Sequence, residues 1–197
     1  MGRQRSFDQD QVLKQAMLLF WEHGYETTSM ADLSAVMGLK PPSIYAAFGN
    51  KEALFEKCVA HYVQNIAAYA PRALTEETTA AKALDRFMSE AITAFCTDDR
   101  PKGCLLISGA TNFSNGNTGA QELLTGYRQS SETMIAERIA RGVQDGDLPP
   151  STETNLLAKY ITVLIQGFAA QARDGVTSRE LQRVSTLALR QIRITPQ

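Results

Sequence analysis

The stretch that decides the fold is TTSMADLSAVMGLKPPSIYAAFGNKEALF, residues 27–55. Ser29 is a good helix N-cap, and the carboxylate of Asp32 follows at capping-box spacing. Gly38 supplies a left-handed residue that ends this first helix, and residues 43–48 form a second short helix. Two short helices joined by a tight turn predict a helix-turn-helix, whose second helix lies in the major groove of DNA.

The same stretch resembles the DNA-binding domain of the TetR/AcrR family of bacterial repressors. The resemblance lies in Thr-Ser-x-x-Asp-Leu, then Gly-Leu-Lys, Ile-Tyr-x-x-Phe and Asn-Lys-Glu-x-Leu-Phe, and it covers residues 6 to about 66. One departure is Pro42, where the family often carries a small residue such as glycine, but proline is tolerated in a first helical turn. The resemblance implies a repressor that binds operator DNA as a dimer and is released by a small-molecule effector.

The motif and the resemblance together predict the residues that contact DNA. Tyr45 matches a tyrosine that bonds a phosphate in the family, and Lys51 begins a helix whose free N–H groups attract the same kind of anion. Ala46 offers no hydrogen bond to a base, so direct base readout is sparse. Arg3 and Arg5 form either a basic arm for the minor groove or a terminus without DNA contact. The predicted set is Arg3, Arg5, Thr28, Ser29, Lys40, Pro41, Ser43, Tyr45, Ala46 and Lys51.

The composition fits a regulator of one or two domains. The chain has 197 residues, of which 44% are hydrophobic, enough for a buried core. Its formal net charge is −1, so attraction to phosphate must come from local groups rather than from the whole surface. No apolar run approaches the roughly 20 residues that span a bilayer, and no signal-peptide pattern opens the chain. We therefore expect a cytoplasmic protein.

The sequence lacks the common motifs of an enzyme or a metal site. It contains no GxSxG elbow, no glycine-rich phosphate loop and no HExxH motif. Its three cysteines form no CxxC pair, and two histidines do not complete a metal-ligand pattern. We therefore expect no catalytic residue, no metal and no cofactor.

The remaining pattern is helical throughout and predicts an all-α fold of about nine helices. The expected domains are an N-terminal three-helix helix-turn-helix domain over residues 6–66 and a C-terminal ligand-binding and dimerisation domain over residues 67–197. A helix begins at Lys51 and runs to Ile66, and Pro71 marks the next break. Further helices are expected over residues 78–96 and 104–113. A long helix that stops at Gly146 follows, and then helices over residues 151–174 and 178–193.

The helix expected over residues 151–174 is apolar on more than one side and must be covered from two directions. One side fits the core of the protein, and the other fits a second copy of the chain. In the resembled family the last two helices form a four-helix dimer bundle. We therefore expect a homodimer that spans two major grooves of an inverted-repeat operator.

Apolar side chains of the central helices are expected to line an effector cavity with a few polar groups. Thr111 and Tyr160 are among those polar groups. The predicted set is Phe87, Met88, Ala91, Phe95, Cys104, Ile107, Thr111, Phe113, Tyr127, Met134, Tyr160 and Phe168. The effector itself is not identified by any of these residues.

Two other functions remain open at this point. Cys104 follows a glycine at the start of a predicted helix, close in sequence to Arg100 and Lys102, so one alternative is a repressor that senses oxidants or electrophiles. The opposite interpretation of Cys104 is a small buried residue in a tight corner. An alternative of another class is an architectural DNA-binding protein without any effector.

Overall fold

The structure is a computed structural model that describes residues 7–109 and 118–191. Within these residues it contains helices and no strand, which confirms the predicted all-α fold. The helices are α1 Gln9–His23, α2 Met30–Met37, α3 Pro41–Phe48, α4 Lys51–Asn65, α5 Tyr69–Glu76, α6 Ala80–Cys96, α7 Leu105–Ser108, α8 Thr118–Gln144, α9 Thr154–Arg173 and α10 Ser178–Gln191. Among the described helices none is long and apolar enough to cross a membrane.

The chain divides into two compact units, and the first contains α1 to α4. Helix α7 and the start of α8 belong to this unit as well. Its core is aromatic: the ring of Phe20 meets that of Phe55 edge-on at a centroid distance of 5.0 Å. Trp21 is fully buried and meets Tyr62 of α4 in the same way, also at 5.0 Å. Trp21 therefore belongs to the core of the first unit.

The second unit is arranged around α6, which contacts α5, α9 and α10. One face of α6 is completely buried, and Arg86 on its other side pairs with Glu76, Glu77 and Glu90 at 3.0, 2.9 and 2.6 Å. Gly103 lies so close to α9 that a Cβ there would be 2.8 Å from the carbonyl oxygen of Ala169. Glycine is thus required where the chain leaves α6 and passes α9.

Local capping bonds fix the starts of α1 and α10. The Asp8 carboxylate accepts hydrogen bonds from the N–H groups of Asp10 and Gln11 at the start of α1. Before α10, the N–H of Thr177 donates to Glu180 and the N–H of Glu180 donates to the Thr177 hydroxyl. Such reciprocal bonds satisfy N–H groups that have no partner within the helix.

One predicted boundary is wrong: Pro71 does not mark a break but lies in the first turn of α5. The N–H groups of a first turn have no intrahelical acceptor, so proline removes nothing there. The break comes earlier, after Asn65, where α4 ends. Of the helix predicted over residues 104–113, the described part is α7, and residues 110–113 lie outside the described residues.

Candidate nucleic-acid interface

Helix α2 is capped at both ends. The Ser29 hydroxyl oxygen accepts from the N–H of Asp32 at 3.1 Å, and the Asp32 carboxylate accepts from the N–H of Ser29 at 2.9 Å. At the other end Gly38 is left-handed, with φ of 63°. The Ser34 hydroxyl reaches across this glycine and donates to the Leu39 carbonyl at 2.5 Å. The bond between Ser34 and Leu39 spans the turn that leads into α3 and helps to fix the direction of that helix.

Helix α3 buries one face and exposes the other. Ile44 and Phe48 are buried, with exposed fractions of 1% and 2%, and they anchor the helix to the core of the first unit. Tyr45 points away from that core and is 49% exposed. The exposed positions of α3 and its N-cap include five residues of the predicted DNA-contact set: Lys40, Pro41, Ser43, Tyr45 and Ala46.

The other predicted DNA contacts do not all share this surface. Thr28 is only 2% exposed, and its hydroxyl donates to the Gly24 carbonyl at 2.7 Å. Ser29 is exposed, but its hydroxyl is occupied by the capping box. Thr28 is therefore buried in the connection between α1 and α2 and does not lie on the exposed face of α3. Arg3 and Arg5 lie outside the described residues.

Lys51 has a partner that sequence reasoning did not predict. Its Nζ lies 4.3 Å from the centroid of the Tyr25 ring, a cation–π contact. Burial lowers the pKa of Lys51, while the nearby Glu26 acts in the opposite direction. Asn50 caps the start of α4, because its side-chain oxygen accepts from the N–H of Ala53 at 2.8 Å. The ring of Tyr25 therefore helps to position the cation at the N-terminus of α4.

The predicted effector residues differ widely in burial. On α6 the buried face has exposed fractions of 3% or less, and Phe168 of α9 is 4% exposed. Tyr127 and Met134 of α8 and Ile107 of α7 are half-buried, whereas Tyr160 of α9 is 39% exposed. The buried residues of α6 are Phe87, Met88, Ala91 and Phe95. Thr111 and Phe113 lie outside the described residues.

The second unit contains two cavities whose walls are formed mostly by residues outside the predicted effector set. The larger, of about 530 Å³, lies along α6 and is lined by Tyr69, Ser89, Glu90, Thr93, Ala94, Cys96, Thr97, Arg100 and Ser178. The smaller, of about 220 Å³, lies between α5 and α8. Met134 is the member of the predicted effector set found on these two walls.

Cys104 is buried, with an exposed fraction of 8%. The sequence placed Lys102 near its thiol, but the Lys102 ammonium donates to the Cys96 carbonyl at 2.7 Å and to the Asp98 carboxylate at 2.5 Å. Helix α7, which begins at the residue after Cys104, has only four residues. These contacts leave Lys102 engaged elsewhere, and the sensor role of Cys104 stays a prediction.

Helices α9 and α10 carry an apolar surface that residues 7–109 and 118–191 leave exposed. Leu156, Tyr160 and Val163 are exposed by 61%, 39% and 59%, at spacings that place them on one face of α9. On α10, Val184 and Leu187 are exposed by 47% and 57%. Exposed apolar side chains in such a cluster are typical of a protein–protein interface.

Comparison with known families agrees with both halves of this architecture. The sequence profile "Bacterial regulatory proteins, tetR family" matches residues 12–58, and "Tetracyclin repressor-like, C-terminal domain" matches residues 80–187. The chain belongs to the TetR family. TetR-family proteins are DNA-binding transcription regulators and not enzymes, so this chain is a regulator of that kind.

Similar TetR-family proteins cover almost the whole chain. The HTH-type transcriptional repressor ComR of Escherichia coli K12 is 33% identical over 96% of this chain and 90% of its own length. BdcR, a repressor of the same organism, is 26% identical over 95% of this chain and 90% of its own. A cysteine-substituted CifR complexed with 26-bp operator DNA is 35% identical, with a TM-score of 0.93, covering 96% of this chain and 98% of that one.

The capping box of this TetR-family helix-turn-helix makes its stability depend on pH. The hydrogen bonds from the Ser29 hydroxyl and N–H lower the pKa of Asp32 below its ordinary value of 3.8, because they favour the carboxylate. The stabilisation is present at neutral pH and is lost as the pH falls below 3.8, through the lower pKa of the folded state. Asp32→Asn should therefore lower the melting temperature at neutral pH, and the gap to wild type should close in acid.

Melting curves of both proteins across this pH range provide the measurement. A Ser29→Ala background is the control, since Asp32→Asn should cost less there once the shared bonds are gone. A gap that stays constant down to the lowest pH would show that Asp32 does not act through its charge.

Proposed function

We propose that this protein represses transcription as a homodimer that binds an inverted-repeat operator, and that a small molecule bound in the second unit releases it. The observation that carries the proposal is the exposed face of α3, held to the core by Ile44 and Phe48 and fixed in direction by the capped turn. A helix presented in this way fits the major groove. The matching repressors and the operator complex of CifR support the same function.

In this proposal residues 6–66 act as the DNA-binding domain and residues 67–197 as the effector-binding and dimerisation domain. The exposed apolar face of α9 and α10 meets the same face of a second copy, as two-fold symmetry requires. Two recognition helices then reach grooves about 34 Å apart, or a multiple of that distance. A regulator that binds operator DNA in this way would act in the cytoplasm.

Repression by release requires the effector to favour one separation of the two DNA-binding domains over another. A ligand shifts such an equilibrium only as far as its affinities for the two arrangements differ. This coupling distinguishes the proposed repressor from an architectural DNA-binding protein, which binds with little sequence preference and no effector. Selection of bound fragments from random genomic DNA tests the first difference: recovered fragments should share an inverted repeat, and fragments without a common sequence would contradict the proposal.

Lys40 should contribute to binding through charge alone. It is the N-cap of α3, it is exposed, and its side chain makes no capping hydrogen bond. One lost phosphate contact releases about one fewer counterion, so Lys40→Ala should reduce the slope of log affinity against log salt by about 1. Operator binding measured by fluorescence anisotropy between low and moderate salt gives this slope.

Lys14 is the matched control, because it is an exposed lysine on α1, away from the turn. Lys14→Ala should leave the slope unchanged. Equal slopes for wild type and Lys40→Ala would remove Lys40 from the phosphate contacts.

A further inference from the structure

The ammonium group of Lys51 is held by an aromatic ring instead of a carboxylate. Its Nζ lies 4.3 Å from the centroid of the Tyr25 ring, within the range of a cation–π contact. Within residues 7–109 and 118–191, Lys51 forms no ion pair and no side-chain hydrogen bond. The ring attracts the ammonium without cancelling its charge, so that the positive charge remains available to an anion.

The ring of Tyr25 is a rigid support for this cation. It lies in the connection between α1 and α2 and is 6% exposed. It stacks on Phe20 at a centroid distance of 6.1 Å and contacts Phe55 of α4 at 5.0 Å. Close packing of this kind leaves a side chain few rotamers. The core of the first unit therefore sets the place of the ring, and the ring sets the place of the ammonium.

Two carboxylates lie close to this cation–π pair. Burial lowers the pKa of Lys51, and Glu26 opposes that change by favouring the charged form. Burial also raises the pKa of the Tyr25 phenol, and Glu52 and Glu26 add to this increase. A lysine released from the ring would be drawn to a neighbouring carboxylate, and an ion pair offers little net charge to a phosphate.

The start of α4 offers more to an anion than the ammonium alone. Lys51 is the first residue of the helix, and the Asn50 side chain caps the N–H of Ala53 at 2.8 Å. The N–H groups of Lys51 and Glu52 have no acceptor within the helix. Free N–H groups at a helix start and a nearby ammonium attract the same anion, which in a protein–DNA complex is a backbone phosphate.

We infer that Tyr25 is a positioning residue for DNA binding, whose ring keeps the Lys51 ammonium at the start of α4 and away from Glu26, where it can contact a backbone phosphate. The inference rests on the proposed function, because the position of Lys51 matters only if α4 meets DNA. Tyr25 is itself buried and acts through Lys51.

The test is the salt dependence of binding to a duplex oligonucleotide of random sequence, measured with the full chain by fluorescence anisotropy. Phosphate contacts do not depend on base sequence, so neither an operator nor an effector is needed. Replacement of Tyr25 by pentafluorophenylalanine keeps the shape of the ring but removes its negative face, whereas Tyr25→Phe keeps both. The fluorinated variant and Lys51→Ala should each reduce the slope of log affinity against log salt by about 1, and Tyr25→Phe should keep the wild-type slope.

A change at Glu26 separates positioning from general damage to the fold. In the fluorinated background Glu26→Gln should restore the slope, because a neutral amide attracts an ammonium much less than a carboxylate does. Tyr25→Leu, which removes the ring, should show the same loss and the same recovery, and it replaces the fluorinated variant if that protein does not fold.

Val59→Ala is the matched control for lost stability. Val59 is fully buried in α4, about two turns after Lys51, so its truncation should lower the melting temperature of the protein. The salt slope should nevertheless stay at the wild-type value, since the ring and the ammonium are unchanged.

Three results would overturn the inference and leave the proposed function in place. The fluorinated variant could show the same slope as Tyr25→Phe, Glu26→Gln could fail to restore the slope, or Lys51→Ala could bind with an unchanged slope, which would leave no phosphate contact to position. A wild-type protein that binds no duplex at any salt concentration would overturn the proposed function and this inference together.

Discussion

Replacement of Tyr45 by alanine is expected to weaken operator binding by roughly 10- to 100-fold, which corresponds to about 1.4–2.8 kcal/mol. Tyr45 is the large side chain on the exposed face of α3, where its neighbours Ser43 and Ala46 offer little contact area. The free energy of unfolding should stay within about 0.5 kcal/mol of wild type, because an exposed side chain adds little to the fold. Anisotropy with an operator fragment and urea denaturation measure the two quantities.

Two variants separate the origins of this effect. Tyr45→Phe keeps the ring but removes the hydroxyl, so a loss similar to that of alanine would assign the contact to the phosphate hydrogen bond. Val36→Ala is the control, since Val36 is an exposed apolar residue of α2, 37% accessible, outside the predicted contact set. Unchanged affinity in Tyr45→Ala would mean that α3 does not present this face to DNA.

A single charge on the exposed face of α9 is expected to have a still larger effect. Val163→Arg should convert the dimer into a monomer and weaken operator binding by more than about 100-fold. In a two-fold interface the substitution occurs in both copies, so two unpaired cations are forced out of water together. Val163 is 59% exposed in the single chain, and therefore its replacement should leave the monomer folded. Sedimentation velocity reports the association state, and anisotropy reports operator affinity.

Ser130→Arg provides the matched control, because it places the same charge on an exposed polar position of α8. This variant should remain dimeric and bind operator normally. Leu187→Arg on α10, where the exposed fraction is 57%, should repeat the effect of Val163→Arg. If both apolar-face variants sediment as dimers, the partner surface lies elsewhere on the chain.

The helix-turn-helix was predictable because its determinants lie within a few residues of one another. Ser29 and Asp32 share a cap, and Gly38 ends the same helix eight residues after its start. Periodicity likewise identified the buried face of α6 and the excess of apolar surface on α9. In each case the local sequence contains all of the physical information that the prediction needs.

The effector site could not be derived from local pattern, because periodicity tells which side of a helix is buried but not whether a space is left there. Phe87 and Phe95 are 3% and 1% exposed, and their role in an effector site stays a prediction. The two cavities described above are lined mostly by polar residues, which periodicity does not select. Lys51 and Tyr25 are separated in sequence by α2 and α3, so their contact could not be predicted from the residues next to either of them.

Trp21 gives the first unit an optical reporter of its own. It is the single tryptophan of the sequence, it is fully buried, and its indole meets Tyr62 nearly at right angles, 86° between the ring planes. Selective excitation of the indole therefore follows the environment of α1 and α4, whereas circular dichroism averages over every helix of both units. A difference between the two melting curves would separate loosening of the DNA-binding half from global unfolding.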